Sequence, residues 1–167
     1  MQKDHRPYFL KRALTKFQRF YTRHFLRPHF SSLGEAPSIV KPWHVEVFGS
    51  PIDIGDYVSI IAASDNSVRL SVWAEKQVSG RIRVGDYCLL CPGVRISSAS
   101  QINIGDNCMI ASGAYVTDSD WHDVYNRIAF GKTDPIDIAN NVWIGDCAIV
   151  CKGVAIGENS IIGAGSV

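Results

Sequence analysis

Aliphatic residues recur every six positions along most of this chain. They open six-residue units at the following positions: Val72, Val78, Val84, Leu90, Ile96 and Ile102, then in a shifted frame Ile104, Ile110 and Val116, and again Ile138, Ile144, Val150, Ile156 and Ile162. Six residues make one short strand and one turn, so the first residue of each unit points the same way. A fixed period of this kind predicts a solenoid of stacked parallel strands with a continuous aliphatic core.

The corners of this predicted solenoid share a three-residue sequence motif, in which an aliphatic residue is followed by Gly and an acidic residue. It occurs as Ile54-Gly55-Asp56, Val84-Gly85-Asp86, Ile104-Gly105-Asp106, Ile144-Gly145-Asp146 and Ile156-Gly157-Glu158. We expect the glycine to allow a positive φ at the corner and the neighbouring acid to hydrogen-bond within the turn. The fifth position of the units is usually small or β-branched, as at Cys88 and Cys108, which predicts close packing of successive coils around the axis.

Two passages resemble a known family. Ile104-Gly105-Asp106-Asn107-Cys108-Met109-Ile110-Ala111 and Asn140-Asn141-Val142-Trp143-Ile144-Gly145 are similar to the maltose and galactoside acetyltransferase branch of the hexapeptide-repeat acyltransferases. The resemblance covers about residues 48–167 and implies a left-handed coil, whereas the spacing alone indicates only a solenoid. The expected fold class is all-β, a left-handed parallel β-helix preceded by an amphipathic α-helical arm.

The resemblance also implies a co-substrate and an assembly. Acetyl-CoA would lie in a groove between adjacent subunits of a homotrimer, and the groove would be lined, by position, by Trp143, Gly145, Asp146, Gly163 and Ala164. Asp146 departs from the family pattern, in which a small residue is common there. A carboxylate beside an anionic cofactor is unfavourable, so its direct contact with coenzyme A is in doubt.

The six-residue rhythm stops between Val116 and Ile138, which predicts an inserted loop at residues 117–137. Long loops in a regular scaffold commonly hold binding or catalytic groups. This loop contains His122, one of two histidines outside the first 30 residues; the other is His44. In the resembling acetyltransferases a loop at this place delivers the catalytic histidine, so we expect His122 to be the general base.

Acetyl transfer from a thioester needs a base for the acceptor's proton and requires no metal. An imidazole suits this task near neutral pH. A carboxylate beside it would fix its tautomer, and Asp118, Asp120 and Asp123 are the candidates in the loop. A solvated loop histidine without a catalytic role is the alternative interpretation of His122.

The first 30 residues form a separate basic segment. They hold eight Lys or Arg and one acid, a net charge of +7, whereas the rest of the chain carries −6. Leu10, Leu14, Phe17, Phe20, Tyr21 and Phe25 recur at helical spacing, which predicts an amphipathic helix that ends before Pro28. Its aromatic stripe could cover the solenoid end or a neighbouring subunit, or lie on an anionic membrane. The rest of the chain is acidic and carries no recognisable nucleic-acid-binding motif, and both features argue against nucleic-acid binding.

These patterns divide the chain into an arm (1–30), a connector with a first strand (31–47) and the β-helix (48–167). No apolar run in the sequence is long enough for a membrane span. The five cysteines do not resemble a disulfide framework, and a reducing cytoplasm fits them best. We therefore expect a cytoplasmic enzyme, with membrane association through the arm as an open alternative.

Two departures from the family bear on the acceptor and the cofactor. Cys91 and Ala99 stand where relatives that acetylate simple sugars carry Asn and Asp, so we expect a different saccharide or a cell-envelope precursor. The sequence stops at Val167, partway through a coil, where family members continue with a further coil and a basic tail. A fragment of a longer enzyme is the preferred explanation.

Two other functions remain open at this stage. A zinc-dependent carbonic anhydrase is built on the same helix, but catalytic zinc commonly needs three protein ligands and only His44 and His122 lie outside the arm. A non-catalytic assembly module is the second alternative, favoured if Val167 is the true terminus.

Overall fold

Three parallel β-sheets form the sides of a prism, and the chain visits them in turn. This computed structural model describes residues 7–75 and 78–167. Sheet A contains β1 (Ser32–Leu33), β4 (Ile52–Ile54), β9 (Ile82–Val84), β12 (Ile102–Ile104), β15 (Ile136–Ile138) and β18 (Ala155–Ile156). Sheet B contains β2 (Ser38–Val40), β5 (Ser59–Ile61), β10 (Leu89–Leu90), β13 (Met109–Ile110), β16 (Trp143–Ile144) and β19 (Ile161–Ile162). Sheet C contains β3 (Val45–Phe48), β6 (Val68–Val72), β11 (Arg95–Ser98), β14 (Tyr115–Thr117) and β17 (Ile149–Val150). The predicted parallel β-helix is confirmed.

The aliphatic first positions form the core of this prism. From Val84 to Ile156 they are buried, and in sheet B, for example, Leu90, Ile110 and Ile144 lie in register on three successive coils. The frame shifts at Ile104 because this coil is two residues longer than three six-residue units: Ile104 pairs with Val84, and Ile102, which is also buried, pairs with Ile82. The period therefore changes without any break in the core.

The fifth positions behave as predicted. Cys88 and Cys108 are buried, and their thiols donate to the backbone oxygens of Gly105 (3.0 Å) and Ala139 (3.1 Å) on the next coil. Val154 is 38% exposed because it lies in the last coil, beyond which no further coil packs on it in this chain. Burial of this column follows from the stacking of coils.

The prediction that the corner glycines adopt a positive φ was wrong. Positive φ falls two residues later, on Tyr57, Tyr87 and Asn107. At Gly105 a Cβ atom would lie 2.8 Å from the backbone carbon of Ala139, so the glycine is needed because the next coil approaches closely. Beside it, Asn140 Oδ1 accepts the Asp106 amide at 2.8 Å.

The same contact repeats along the corner and forms a ladder. Asp106 accepts the Asp86 amide at 2.8 Å, and Asp86 accepts the Asp56 amide at 2.7 Å. Each acidic side chain therefore satisfies a backbone donor of the preceding coil. Asp56, Asp86 and Asp106 are therefore structural groups that join coils.

The first coil starts earlier than the sequence boundary at residue 48. Residues 31–47, predicted as a connector and one strand, contribute β1, β2, a 3-10 turn at Pro42–His44 and most of β3. Leu33, Ile39 and Val45 are buried and stand six residues apart, so the repeat itself already covers this segment. The solenoid thus includes the whole of the predicted connector.

One predicted core position lies outside the coils. Val78 belongs to β8 (Val78–Ser79), which pairs antiparallel with β7 (Ala74–Glu75) in a small hairpin between β6 and β9. Its six-residue spacing from Val72 and Val84 is coincidental, because the hairpin inserts between two coils. The six-residue period therefore does not predict the strand to which Val78 belongs.

The predicted helical arm is confirmed for the part that the structure describes; residues 1–6 lie outside it. The helix α1 (Tyr8–Tyr21) continues into a π-helical turn (Thr22–Leu26) and a 3-10 turn (Arg27–His29). Leu26 and Phe30 are buried in the core, so the end of the arm caps the first coil. The aromatic stripe touches the coil only in part, because Phe17 lies 5.9 Å from Trp43 between ring centroids yet remains half exposed.

Candidate active site

The predicted inserted loop leaves β14 and returns to β15 as a short antiparallel ribbon. The amide of Asp134 donates to the Asp118 carbonyl at 3.0 Å, and the amide of Asp120 donates to the Lys132 carbonyl at 3.0 Å. Nearer the tip, the Asp123 amide donates to the Ala129 carbonyl at 3.0 Å. These backbone bonds give the loop a defined shape at the corner between sheets C and A.

His122 is exposed on this ribbon, and one of its ring nitrogens is already engaged. Its Nδ1 lies 3.0 Å from the backbone oxygen of Arg127. A carbonyl oxygen can only accept, so in the neutral imidazole Nδ1 carries the hydrogen and Nε2 keeps its lone pair. The loop thus presents Nε2 in the form that a general base needs.

The structure places Asp118 away from the imidazole. Its carboxylate is fully buried and accepts the amides of Ala99 (2.6 Å) and Ser100 (2.9 Å). Ser98 Oγ lies 2.7 Å from its second oxygen. Asp118 therefore ties the start of the loop to the corner of the preceding coil.

Asp120 and Asp123 are also engaged elsewhere. Asp120 forms an ion pair of 2.7 Å with Lys152 on the next coil. Asp123 accepts the amides of Tyr125 and Asn126, at 2.8 and 2.9 Å, and these bonds hold the pKa of its carboxyl below the ordinary value. Among the residues described, no carboxylate bonds to His122, and the group that orients the ring is a backbone carbonyl.

A row of aromatic rings beside the loop was not predicted from the sequence. Phe48, Trp73, Trp121 and Phe130 follow one another with centroid separations of 5.0, 5.8 and 6.2 Å, and we call them the aromatic row. Trp121 precedes His122, and its indole N–H points to Thr117 Oγ1 at 3.1 Å. Two coils contribute one ring each and the loop contributes two, so only the folded chain brings them together.

The outer face of sheet C extends from this row and is polar. A shallow depression of about 230 Å³ is lined by residues including Arg69, Ser71, Arg95 and Tyr115. The Arg95 guanidinium lies 4.3 Å above the Tyr115 ring, a cation–π arrangement. Aromatic rings next to hydroxyl and guanidinium groups make a surface that suits a saccharide.

The predicted cofactor residues come together at a different corner, between sheets B and C. Trp143 is 46% exposed on the outer face of sheet B, in register with Met109 and Ile161. Gly145 and Gly163 follow the paired strands β16 and β19, so they lie on adjacent coils. Gly145 is buried, and a Cβ there would meet the Ala164 amide nitrogen at 2.6 Å, whereas Asp146, Gly163 and Ala164 are exposed.

The two groups of predicted residues therefore flank sheet C. His122 lies at the corner where sheet C ends, and Trp143 lies on sheet B before sheet C begins. One chain brings Trp143, Gly145, Asp146, Gly163 and Ala164 together but leaves the His122 loop at a separate corner.

In residues 7–75 and 78–167, no three His, Cys, Asp or Glu side chains are placed to hold a metal ion. Over the same residues, none of the helices combines the length and apolar character that crossing a bilayer requires.

Residues 135–167 match the family model described as bacterial transferase hexapeptide (six repeats). The galactoside O-acetyltransferase of Escherichia coli (strain K12) is 34% identical over 86 residues, which is 52% of this chain and 34% of that protein. A putative acetyltransferase of Schizosaccharomyces pombe (strain 972) is 60% identical over 40 residues, 24% of this chain and 18% of that protein. The chain thus spans about a third or less of the length of these relatives.

Solved structures share the fold at low sequence identity. AntD, an N-acyltransferase from Bacillus cereus in complex with dTDP and 3-hydroxybutyryl-CoA, superposes with a TM-score of 0.55 at 21% identity, over 86% of this chain and 74% of that one. The hexapeptide-repeat acetyltransferase VCA0836 from Vibrio cholerae gives a TM-score of 0.54 at 22% identity, over 94% and 73%. The resemblance predicted from the sequence is confirmed: residues 135–167 match the hexapeptide repeat of bacterial transferases, and the chain shares the left-handed parallel β-helix fold of these structures.

Proposed function

We propose that this chain belongs to an acetyl-CoA-dependent acyltransferase that acetylates a hydroxyl of a saccharide or cell-envelope precursor, with His122 as the general base. The observation that carries the proposal is the hydrogen bond between His122 Nδ1 and the Arg127 carbonyl, which leaves Nε2 free. The acetyltransferase names of the sequence relatives support the reaction class.

The chemistry follows from the state of this ring. His122 Nε2 takes the proton of the acceptor hydroxyl as the acceptor oxygen forms a bond to the thioester carbon. The tetrahedral intermediate then breaks its bond to sulfur, and the imidazolium returns the proton to the leaving thiolate. The Arg127 carbonyl keeps the ring oriented and stabilises the imidazolium through Nδ1–H, as a carboxylate does in a triad.

Asp118 and Asp120, expected as catalytic groups, take positioning roles in this proposal. Asp118 fixes the start of the loop and Asp120 anchors it to Lys152. Both hold His122 in place without contact to the reacting atoms.

The Trp143 corner is the proposed acyl-donor site. The exposed indole and the apolar side chains of Met109 and Ile161 suit the pantetheine arm of coenzyme A. Exposed Gly163 and Ala164 leave space beside it, and Gly145 allows the coils to pack closely. Asp146 is exposed at this corner. Its negative charge repels the phosphates of coenzyme A, so we expect these phosphates to bind away from Asp146.

A homotrimer would bring the two corners together, with the loop of one copy against the Trp143 corner of the next. The loop tip supports this arrangement, because Tyr125 and Ile128 are each 97% exposed and Val124 is 68% exposed. Exposed apolar side chains at one tip favour a protein contact.

The aromatic row is the proposed acceptor surface. A sugar ring can stack on Trp73 or Trp121 while its hydroxyl groups bond to the polar face of sheet C. This placement brings an acceptor beside His122 and is consistent with the loss of the family's Asn and Asp at Cys91 and Ala99.

The proposed location is the cytoplasm, with contact to the inner membrane surface through the arm. All five cysteines are free, which supports a reducing compartment. Phe9, Phe17, Phe20 and Phe25 are 52–68% exposed on the helix and the π-helical turn after it, which also carry several Lys and Arg. We expect the chain to bind vesicles that contain anionic lipid at low salt and to lose this binding at high salt. Absence of binding at low salt would refute the membrane contact.

The decisive experiment compares wild type with His122→Ala in acetyl transfer from acetyl-CoA to a panel of saccharides. We expect a loss of at least about 100-fold in kcat with unchanged thermal stability, because the exposed ring contributes to catalysis and little to packing. A variant that keeps half of the wild-type rate would refute the assignment. Calorimetry with coenzyme A is the companion measurement, and the absence of detectable heat would favour an assembly module.

A further inference from the structure

A crevice lies between the helical arm and the first coil, away from the His122 loop. It encloses about 740 Å³, within the usual range of ligand sites. One wall comes from α1 and the turns after it, and the other from residues 33–40. Neither the proposed reaction nor the family resemblance gives this crevice a role.

The arm wall is strongly cationic. Arg19, Arg23 and Arg27 line the crevice together, and no acidic residue is among the described residues that line it. The ion pairs in the described part of the chain do not include these three arginines. Three uncompensated guanidinium groups on one wall favour an anion with several oxygen atoms, because each group can donate a paired set of hydrogen bonds to phosphate.

The opposite wall is mostly apolar, with Ser38 as its one polar side chain among the described lining residues. Leu33 and Ile39 are buried at its base, and Val40 is 37% exposed. A simple inorganic anion would leave this wall without a partner. No aromatic side chain is among the described lining residues, so the crevice lacks a surface on which a nucleotide base could stack.

We propose that this crevice binds the phosphate head and the first methylene groups of an anionic phospholipid. The three arginines bind the phosphate oxygens, and the aliphatic wall covers the start of an acyl chain. The site is independent of acetyl transfer, because its walls contain no residue of the candidate active site.

Isothermal calorimetry with dihexanoyl phosphatidate, kept below its critical micelle concentration, tests the proposal on the full chain. We expect measurable binding, at least about tenfold tighter than for inorganic phosphate, for UDP or for dihexanoyl phosphatidylcholine. Absence of heat with phosphatidate, or equal affinity for inorganic phosphate or UDP, would overturn the proposal.

Charge variants supply matched controls. Arg19→Gln, Arg23→Gln and Arg27→Gln should each weaken phosphatidate binding about tenfold, whereas Lys16→Gln, which removes the same charge from the same helix outside the crevice, should leave it unchanged. Val40→Asp places a negative charge on the opposite wall and should abolish phosphatidate binding. Retained affinity in the arginine variants, or an equal loss in Lys16→Gln, would show that the crevice is not the site. Circular dichroism confirms that each variant is folded.

Discussion

The coils and the inserted loop use acidic side chains in the same way but expose different chemistry. In the coils, Asp86, Asp106 and Asn140 accept backbone amides of the preceding coil. In the loop, Asp118 and Asp123 accept backbone amides too. Both regions therefore use these side chains to fix the backbone, and what distinguishes the loop is the exposed imidazole that this fixed backbone carries.

This comparison changes how the loop sequence is understood. Three aspartates around a histidine resemble a set of catalytic carboxylates, yet each of them is engaged in a structural contact. The Arg127 carbonyl takes the orienting role that a carboxylate was expected to have. A backbone acceptor carries no sequence signal, so the sequence alone could not indicate it.

The largest stability effect should come from a corner glycine of the coils. Gly105→Ala places a Cβ 2.8 Å from the Ala139 backbone carbon, and we expect the free energy of unfolding to fall by about 3 kcal/mol. Gly157→Ala is the matched control at the same place in the repeat, where no atom lies within 4 Å, and should cost less than about 0.5 kcal/mol. Urea denaturation measures both. Equal costs would contradict the packing role of the glycine.

The substitution of a loop aspartate should lower the free energy of unfolding more than that of a ladder aspartate, and both effects should be smaller than the effect of the glycine. In Asp118→Asn the new amide must face a backbone N–H, because both carboxylate oxygens accept one, and we expect a loss of about 2 kcal/mol. Asp106→Asn should change stability by less than about 0.5 kcal/mol, since Asn140 makes the same ladder contact on the next coil. Thermal unfolding of the two variants gives the comparison, and a larger loss for Asp106→Asn would reverse the assigned roles.

The anchor between the loop and the coils should affect activity and leave stability nearly unchanged. Lys152→Met removes the exposed pair with Asp120, so we expect a few-fold lower kcat at an unchanged melting temperature. The hydrogen bond with Asp120 raises the pKa of Lys152, so the anchor is fully present below the ordinary lysine pKa and is lost only as pH rises through the raised value. Arg81→Gln breaks a similar exposed pair with Asp53 in the coils and should leave kcat unchanged. An equal loss of kcat in both variants would argue against a loop anchor.

Much of the fold could be predicted from the sequence because the repeat imposes it. Every aliphatic first position from Val84 onward lies on the inner side, since one strand and one turn per unit leave no other arrangement. The first coil was also within reach, because Leu33, Ile39 and Val45 keep the six-residue spacing. The hairpin that contains Val78 could not be predicted. Its insertion keeps the six-residue spacing by chance and so leaves no break in the pattern.

The site was predictable only in part. The break in the period indicated the loop and so His122, but the partners of the three aspartates depend on contacts across coils. The aromatic row joins Phe48, Trp73 and Trp121 over more than 70 residues of sequence, and such proximity comes only from stacking. Sequence patterns thus identified the interruption, and the folded chain determined what surrounds it.

The central claim is that the His122 loop of one copy acts on an acyl donor held at the Trp143 corner of another. Co-expression of His122→Ala and Trp143→Ala chains with different tags, followed by purification of the mixed trimers, tests it directly. Each mixed trimer combines an intact loop with an intact Trp143 corner at one of its three shared sites, so we expect about one third of the wild-type activity to return. Mixed trimers as inactive as the two parent variants would contradict the claim and place the whole site within one chain.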